Sequence, residues 1–182
     1  YAEYEPQFDT MQIKQFGDNH RMFDLMEQML NTLEDGHVNL YSPFDVSACS
    51  SWYEGYPANF DSEILSQYYL KDYRRAGGLN YCKIDGDSIG YVYYSSFSNS
   101  FSHLNWLMVH AYRMAAPFFS HDTVVGYWQH KSGRGHEEFS EIAPMKMEES
   151  KGNWMRPVVV LCNRHSYSAA NFFVSIMRYA DN

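Results

Sequence analysis

The stretch PVVVLCNRHSYSAAN, residues 157–171, says most about how this chain folds. It opens with an uninterrupted apolar run, which is typical of a strand covered on both faces of a sheet. A polar turn follows, and apolar residues then recur at helical spacing, namely Ala169, Ala170, Phe172, Phe173, Ile176 and Met177. The pattern predicts a buried strand, a turn and a helix, with Ser168 where the helix begins.

Ser168 therefore lies where a serine has two common uses. The unpaired N–H groups and the dipole of a helix N-terminus favour developing negative charge. This suits a serine nucleophile, whose attack creates an oxyanion on the substrate. However, most serines before an apolar helix are N-caps, and Ser166 or Ser168 can take that role. The local pattern leaves both interpretations open.

Upstream of this unit, the sequence predicts an amphipathic helix over residues 19–33, with Asp18 or Asn19 as its cap. Its apolar stripe consists of Met22, Leu25, Met26, Met29, Leu30 and Leu33. Asp35-Gly36 ends this helix, and a short strand is expected over 38–41. The next segment, 42–62, mixes Ser, Pro, Gly and Asn with aromatics, which predicts an irregular, partly packed connection.

The remaining patterns alternate between helix and strand. The predicted elements are a short helix over 61–72, a hairpin of 79–84 and 89–94 around Asp85-Gly86-Asp87, a helix over 101–112 and a strand over 123–130. The expected fold class is α/β or α+β around a mixed sheet. We divide the chain into an N-terminal helical segment (1–40), a connecting segment (41–78) and a core (79–182).

Composition excludes several classes of function. Hydrophobic residues make up 45% of the 182 residues, so a packed core is expected. The net charge of −8 argues against nucleic acid as a partner, because phosphate binding needs a basic face. No apolar stretch approaches the ~20 residues that span a membrane. The three cysteines are too few for a disulfide framework, and Cys162 is expected to be an inert core thiol.

A serine nucleophile needs a base at neutral pH, and the chain has eight histidines. His37 follows a glycine directly after the first long helix, a corner from which a side chain can be aimed into a cleft. His165 is closer to Ser168 in sequence, but a tight turn leaves its direction open. A surface or capping histidine is the alternative for His37.

Two other binding patterns are weak. His130, His136, Glu137 and Glu138 form neither a helical His-Glu-x-x-His motif nor a Cys/His finger. The loop Gly133-Arg134-Gly135 lacks the Lys-Ser/Thr ending of a phosphate loop. No metal and no cofactor are therefore expected.

Three motifs together resemble the tail-specific, or C-terminal processing, serine peptidase family and its tricorn-like branch. They are LEDGHV (33–38), IGYV (89–92) and the 157–171 stretch. The resemblance implies a crotonase-like, ββα-type core. It also implies that Ser168 is the nucleophile, that the Ala169 N–H is an oxyanion-hole donor and that His37 is the base, since this branch takes its histidine from that position.

The sequence departs from the family pattern in several places. The glutamate usual after the serine motif is Asn171 here, and the serine usual before the histidine is Gly36. A glycine-rich strand that supplies the second oxyanion donor is expected between the helix near 101–113 and the strand near 123. Met114 runs directly into Ala115 there, and we expect residues to be missing at this junction. The glutamate that completes the family's tetrad is expected beyond Asn182. The segment between Leu40 and Tyr81 is too short for the peptide-binding PDZ module of many relatives.

The sequence thus predicts a serine endopeptidase that cleaves unfolded or C-terminal polypeptide segments through an acyl-enzyme. The resemblance further implies a bacterial protein of the cell envelope, periplasmic or lipid-anchored. One alternative is a non-catalytic protein that binds a peptide or apolar ligand on the same fold. Another is an esterase, although Gly-x-Ser-x-Gly is absent around Ser168. Oligomeric state is left open.

Overall fold

The amphipathic pattern near the N-terminus forms a helix, as predicted. The computed structural model describes residues 2–10, 16–51, 53–70, 72–76, 78–84, 88–97 and 107–181. In it, α1 spans Glu5–Thr10 and α2 spans Phe16–Asn31. The helix α2 begins before Asp18, which lies in its first turn, and it ends before Leu33, whose side chain is 61% exposed. The apolar stripe is therefore shorter than predicted.

A two-stranded hairpin packs with these helices in a first compact unit, residues 1–56. Strand β1, Asn39–Tyr41, pairs antiparallel with β2, Val46–Ala48. The prediction of an irregular segment over 42–62 is wrong for β2. Between the strands, the Phe44 ring lies 5.8 Å from the ring of buried Phe23 on α2, which ties the hairpin to the helix.

The second compact unit, residues 57–182, begins with the short helix expected near 61–72. Asp61 caps α3, Ser62–Ile64, by accepting hydrogen bonds from two backbone N–H groups, and a π-helical turn, Leu65–Tyr69, continues it. A three-stranded antiparallel sheet follows, made of β3 (Arg74–Ala76), β4 (Leu79–Lys83) and β5 (Gly90–Tyr94). The predicted hairpin is thus confirmed, while its turn at 85–87 lies outside the described residues.

Two helices and a second hairpin complete this unit. Helix α4, Leu107–Ala115, runs into a 3-10 turn, Ala116–Phe118, so Met114 and Ala115 are consecutive helical residues where the glycine-rich strand was expected. The start of the predicted helix, residues 101–106, lies outside the described residues. Strand β6, Thr123–Trp128, pairs antiparallel with β7, Ala143–Met147, and α5 spans Ala169–Met177.

The core of the second unit surrounds α5. One buried cluster joins the end of α4, the β6–β7 hairpin and α5 through Ala115, Phe119, Val125, Met147 and Ile176. A smaller cluster of Phe97, Ala111 and Ala169 holds the first turn of α5 against α4. Because the two ends of α5 are buried in these two clusters, the N-terminus of the helix is held in place.

The predicted buried strand before the serine is wrong. Residues 157–163 belong to no strand, and Val159 and Leu161 are 82% and 79% exposed. Cys162 is an exposed thiol rather than a core one. An apolar run is buried only when another element packs on it, and no described strand pairs with this one.

The fold class is α+β. Every strand pair among the described residues is antiparallel, so the expected mixed sheet is not found there. The three-segment division at residues 40 and 78 stays a prediction. Among the helices that the structure describes, none combines the length and apolar character needed to cross a bilayer.

Candidate active site around Ser168

A hydrogen-bonded polar turn leads into α5. The Asn163 side-chain oxygen accepts from the His165 backbone N–H at 2.9 Å, and the Ser166 hydroxyl accepts from the Asn163 N–H at 3.1 Å. The Ser166 N–H donates back to the Asn163 carbonyl at 3.0 Å. The Asn163 amide also donates to the Ala58 carbonyl, which anchors the turn to the start of the second unit. Short polar side chains of this kind commonly stabilise turns.

Ser168 has an unusual backbone conformation at the start of α5, with φ 56° and ψ −120°. This combination corresponds to the first central residue of a type II′ turn, where glycine predominates because a Cβ is disfavoured. Such a conformation costs about 1–3 kcal/mol in a non-glycine residue and is concentrated at functional sites. The Ser168 side chain makes no capping hydrogen bond to α5. The structure therefore does not support the helix-cap interpretation of Ser168.

Ser168 lines a cavity of about 190 Å³ in the second unit. Its other lining residues are Ser95, Ser96, Phe97, His165, Tyr167, Ala169 and Ala170. Phe97 is held by an edge-on contact with the Tyr94 ring at 4.7 Å and by the Phe173 ring of α5 at 5.9 Å. The end of β5 is thereby fixed beside the serine.

The first residues of α5 line this cavity. Ala169, the first residue of α5, is 3% exposed and lines the cavity with Ser168. The N–H of a first helical residue has no acceptor within its helix, and it adds to the positive end of the helix dipole. The arrangement suits a group that develops negative charge on an oxygen next to Ser168.

The predicted site residues lie in both compact units. Ser168 and Ala169 line one cavity in the second unit, and His165 lines it too. His37 belongs to the first unit, where it follows α2 in a turn closed by a hydrogen bond from the Val38 N–H to the Asp35 carbonyl at 3.0 Å. His37 thus lies in a hydrogen-bonded turn between α2 and β1.

The residues weighed as metal ligands have other contacts. The His130 ring stacks on Trp128 with centroids 5.3 Å apart, and Glu138 accepts a hydrogen bond from the Gly135 N–H at 2.6 Å. Within the described ranges, no group of three or more His, Cys, Asp or Glu side chains is placed to hold a metal ion.

Sequence reasoning did not single out the cavity wall or the carboxylate beside His37. Ser95, Ser96 and Phe97 directly follow β5, and small polar residues after a strand were the available signal. Asp35 was read only as a helix terminator, yet its carboxylate lies 2.9 Å from the His37 ring. The Asp-x-His spacing was the signal for that contact.

A solved structure shares this fold. The chain is similar to a protein from Parabacteroides merdae ATCC 43184 described as a "putative peptidase", with a TM-score of 0.82 and 35% sequence identity. The similarity covers 99% of this chain and 64% of the other, so the chain spans less than two thirds of that protein's length. No protein-family model matches the chain, and no curated protein matches it. This chain therefore shares the fold of a protein that is described as a "putative peptidase".

Proposed function

We propose that this chain is part of a serine peptidase of the tail-specific, tricorn-like kind, acting on unfolded or C-terminal polypeptide segments in the bacterial cell envelope. The observation that carries the proposal is Ser168. It has a glycine-like backbone at a helix start, its side chain does not cap that helix, and it lines a cavity. A strained serine on a sharp turn before a helix is how α/β-hydrolases expose their nucleophile. The similarity to a protein described as a "putative peptidase" supports a peptidase function in general.

In the proposed reaction, the Ser168 hydroxyl attacks the peptide carbonyl carbon and His37 takes the hydroxyl proton. The Ala169 N–H stabilises the tetrahedral oxyanion. Collapse of this intermediate breaks the C–N bond, and the leaving amine takes the proton from His37. Water then hydrolyses the acyl-enzyme by the same steps and releases the free serine.

A fluorophosphonate probe tests the nucleophile. We expect the wild-type full-length protein to be labelled and Ser168→Ala to lose the label completely. Ser166→Ala is the matched control, because Ser166 lies two residues away and its hydroxyl bonds to the turn; it should still be labelled. Labelling that persists in Ser168→Ala would reject Ser168 as the nucleophile.

The same assay separates the two candidate bases. His165 lines the cavity with Ser168, whereas His37 is the base implied by the family resemblance. We expect His37→Ala to slow labelling by about 100-fold or more, within the range of general base catalysis, and His165→Ala to change it little. The opposite ranking would assign the base to His165.

A non-catalytic binding protein is the second candidate, and one observation favours it. Helix α4 continues through Met114 and Ala115, where the family's second oxyanion donor was expected. Losing one such donor costs about 3 kcal/mol in the reaction barrier. An unlabelled wild-type protein that still binds an unfolded polypeptide such as casein would favour this function. Hydrolysis of small esters without cleavage of casein would favour the esterase.

A further inference from the structure

A carboxylate and an imidazole form a close pair in the turn after α2. Asp35 Oδ1 lies 2.9 Å from His37 Nδ1, and the same oxygen accepts the His37 backbone N–H at 2.9 Å. The Asn39 side-chain amide donates to the His37 carbonyl at 3.1 Å. The turn therefore holds both the backbone and the ring of His37.

This contact decides which ring nitrogen carries the proton. An ionised carboxylate is only an acceptor, so Nδ1 must be the protonated nitrogen of a neutral His37. In that tautomer, Nε2 has the lone pair that can take a proton from a nucleophile. A general base of the serine–histidine type needs this tautomer and a fixed ring orientation.

We propose that Asp35 is the positioning residue that orients His37 as the base. This inference rests on the proposed serine peptidase function and supplies an orienting carboxylate from within the described chain. The Asp35 and His37 side chains are 50% and 57% exposed, so water screens their charges. The main contribution of Asp35 is then to orient the His37 ring and to select its tautomer, rather than to stabilise a charge on it. Removing the hydrogen-bonded partner that orients a metal-bound histidine typically costs about 10- to 100-fold in activity, and we expect a loss of similar size for His37.

A purely structural role for Asp35 predicts different behaviour. Oδ1 also accepts the His37 backbone N–H, so the carboxylate shapes the turn whether or not the ring matters. Asn at position 35 keeps an oxygen acceptor for that N–H, because Asn and Asp stabilise the same turns. Asp35→Asn therefore preserves the turn while replacing the charged acceptor of the ring Nδ1–H by a neutral amide oxygen, which holds the Nδ1–H tautomer less strongly.

The experiment combines nitrogen NMR of the histidine rings with labelling kinetics on the full-length protein. His37 signals are assigned by their loss in His37→Ala. We expect the Nδ1–H tautomer in the wild type, a shift towards Nε2–H in Asp35→Asn, and labelling of Ser168 slowed by about 10- to 100-fold. With a peptide substrate, the loss should appear in kcat rather than KM. Glu34→Gln, which removes the adjacent carboxylate, is the matched control and should change neither measurement.

Each other outcome is decisive. If Asp35→Asn matches Glu34→Gln in tautomer or in labelling rate while the wild type is labelled, the positioning role is wrong and the proposed function stands. If the wild type is not labelled at all, the proposed function fails and takes the catalytic role of Asp35 with it. The tautomer measurement then still reports whether Asp35 orients the His37 ring.

Discussion

Replacing Ser168 by glycine is expected to make the protein more stable while abolishing its activity. The Ser168 backbone, at φ 56° and ψ −120°, is strained by about 1–3 kcal/mol, and glycine relieves that strain. Glycine also loses more chain entropy on folding, which costs about 0.5–1 kcal/mol. The free energy of unfolding should therefore rise by up to about 2.5 kcal/mol. A more stable but inactive variant is the usual result of relaxing a strained catalytic residue.

Two companion variants separate the strain from the side chain. Ser168→Ala keeps the Cβ and removes only the hydroxyl, so it should be inactive without gaining the stability that glycine gives. Ala170→Gly places glycine within α5 itself, where it should destabilise by about 1 kcal/mol. Together they show whether position 168 responds to glycine differently from the helix that follows it.

The assay is urea unfolding followed by circular dichroism, with the free energy extrapolated to water. Destabilisation of Ser168→Gly as large as that of Ala170→Gly would refute the strain at Ser168.

Three further predictions concern the second unit, each measured by urea unfolding. Phe119→Ala should cost about 3–5 kcal/mol because Phe119 is fully buried, and a loss below about 1 kcal/mol would contradict its core position. Val159→Ser should change stability by less than about 0.5 kcal/mol, since Val159 is 82% exposed, and a clear loss would mean that this segment is buried after all. The Ser120 hydroxyl and N–H donate to Asp181 and, with His121 nearby, lower the pKa of its carboxyl below the ordinary 3.8. Ionised Asp181 therefore stabilises the folded protein above the ordinary pKa. This stabilisation is lost as the pH falls through the lower pKa of the folded state. Asp181→Asn should therefore lower the urea midpoint near neutral pH and lose its effect at strongly acidic pH. An equal effect at both pH values would exclude a link between the Asp181 pKa and stability.

Local patterns correctly predicted the helices and strands whose side-chain periodicity can be recognised from their own residues alone. Most of the predicted α2 helix and the β4–β5 hairpin formed where expected, because a helical face and two alternating segments around a Gly-Asp turn can be recognised without knowing their neighbours. The apolar run before Ser168 was misread for the opposite reason. A continuous apolar run predicts a buried strand only if other elements cover both of its faces, and that information lies elsewhere in the fold.

The candidate site divides in the same way. The sequence by itself determined that Ser168 stands at the start of an apolar helix, that Ala169 follows it and that His37 lies in a turn after an amphipathic helix, since these are relations between near neighbours in the chain. Only the tertiary structure decided that the Ser168 backbone is glycine-like and that Ser95, Ser96 and Phe97 wall its cavity. Backbone strain is held in place by packing around the residue, and this cavity wall comes from the segment that follows a strand distant in sequence. Neither feature is therefore encoded in a local pattern.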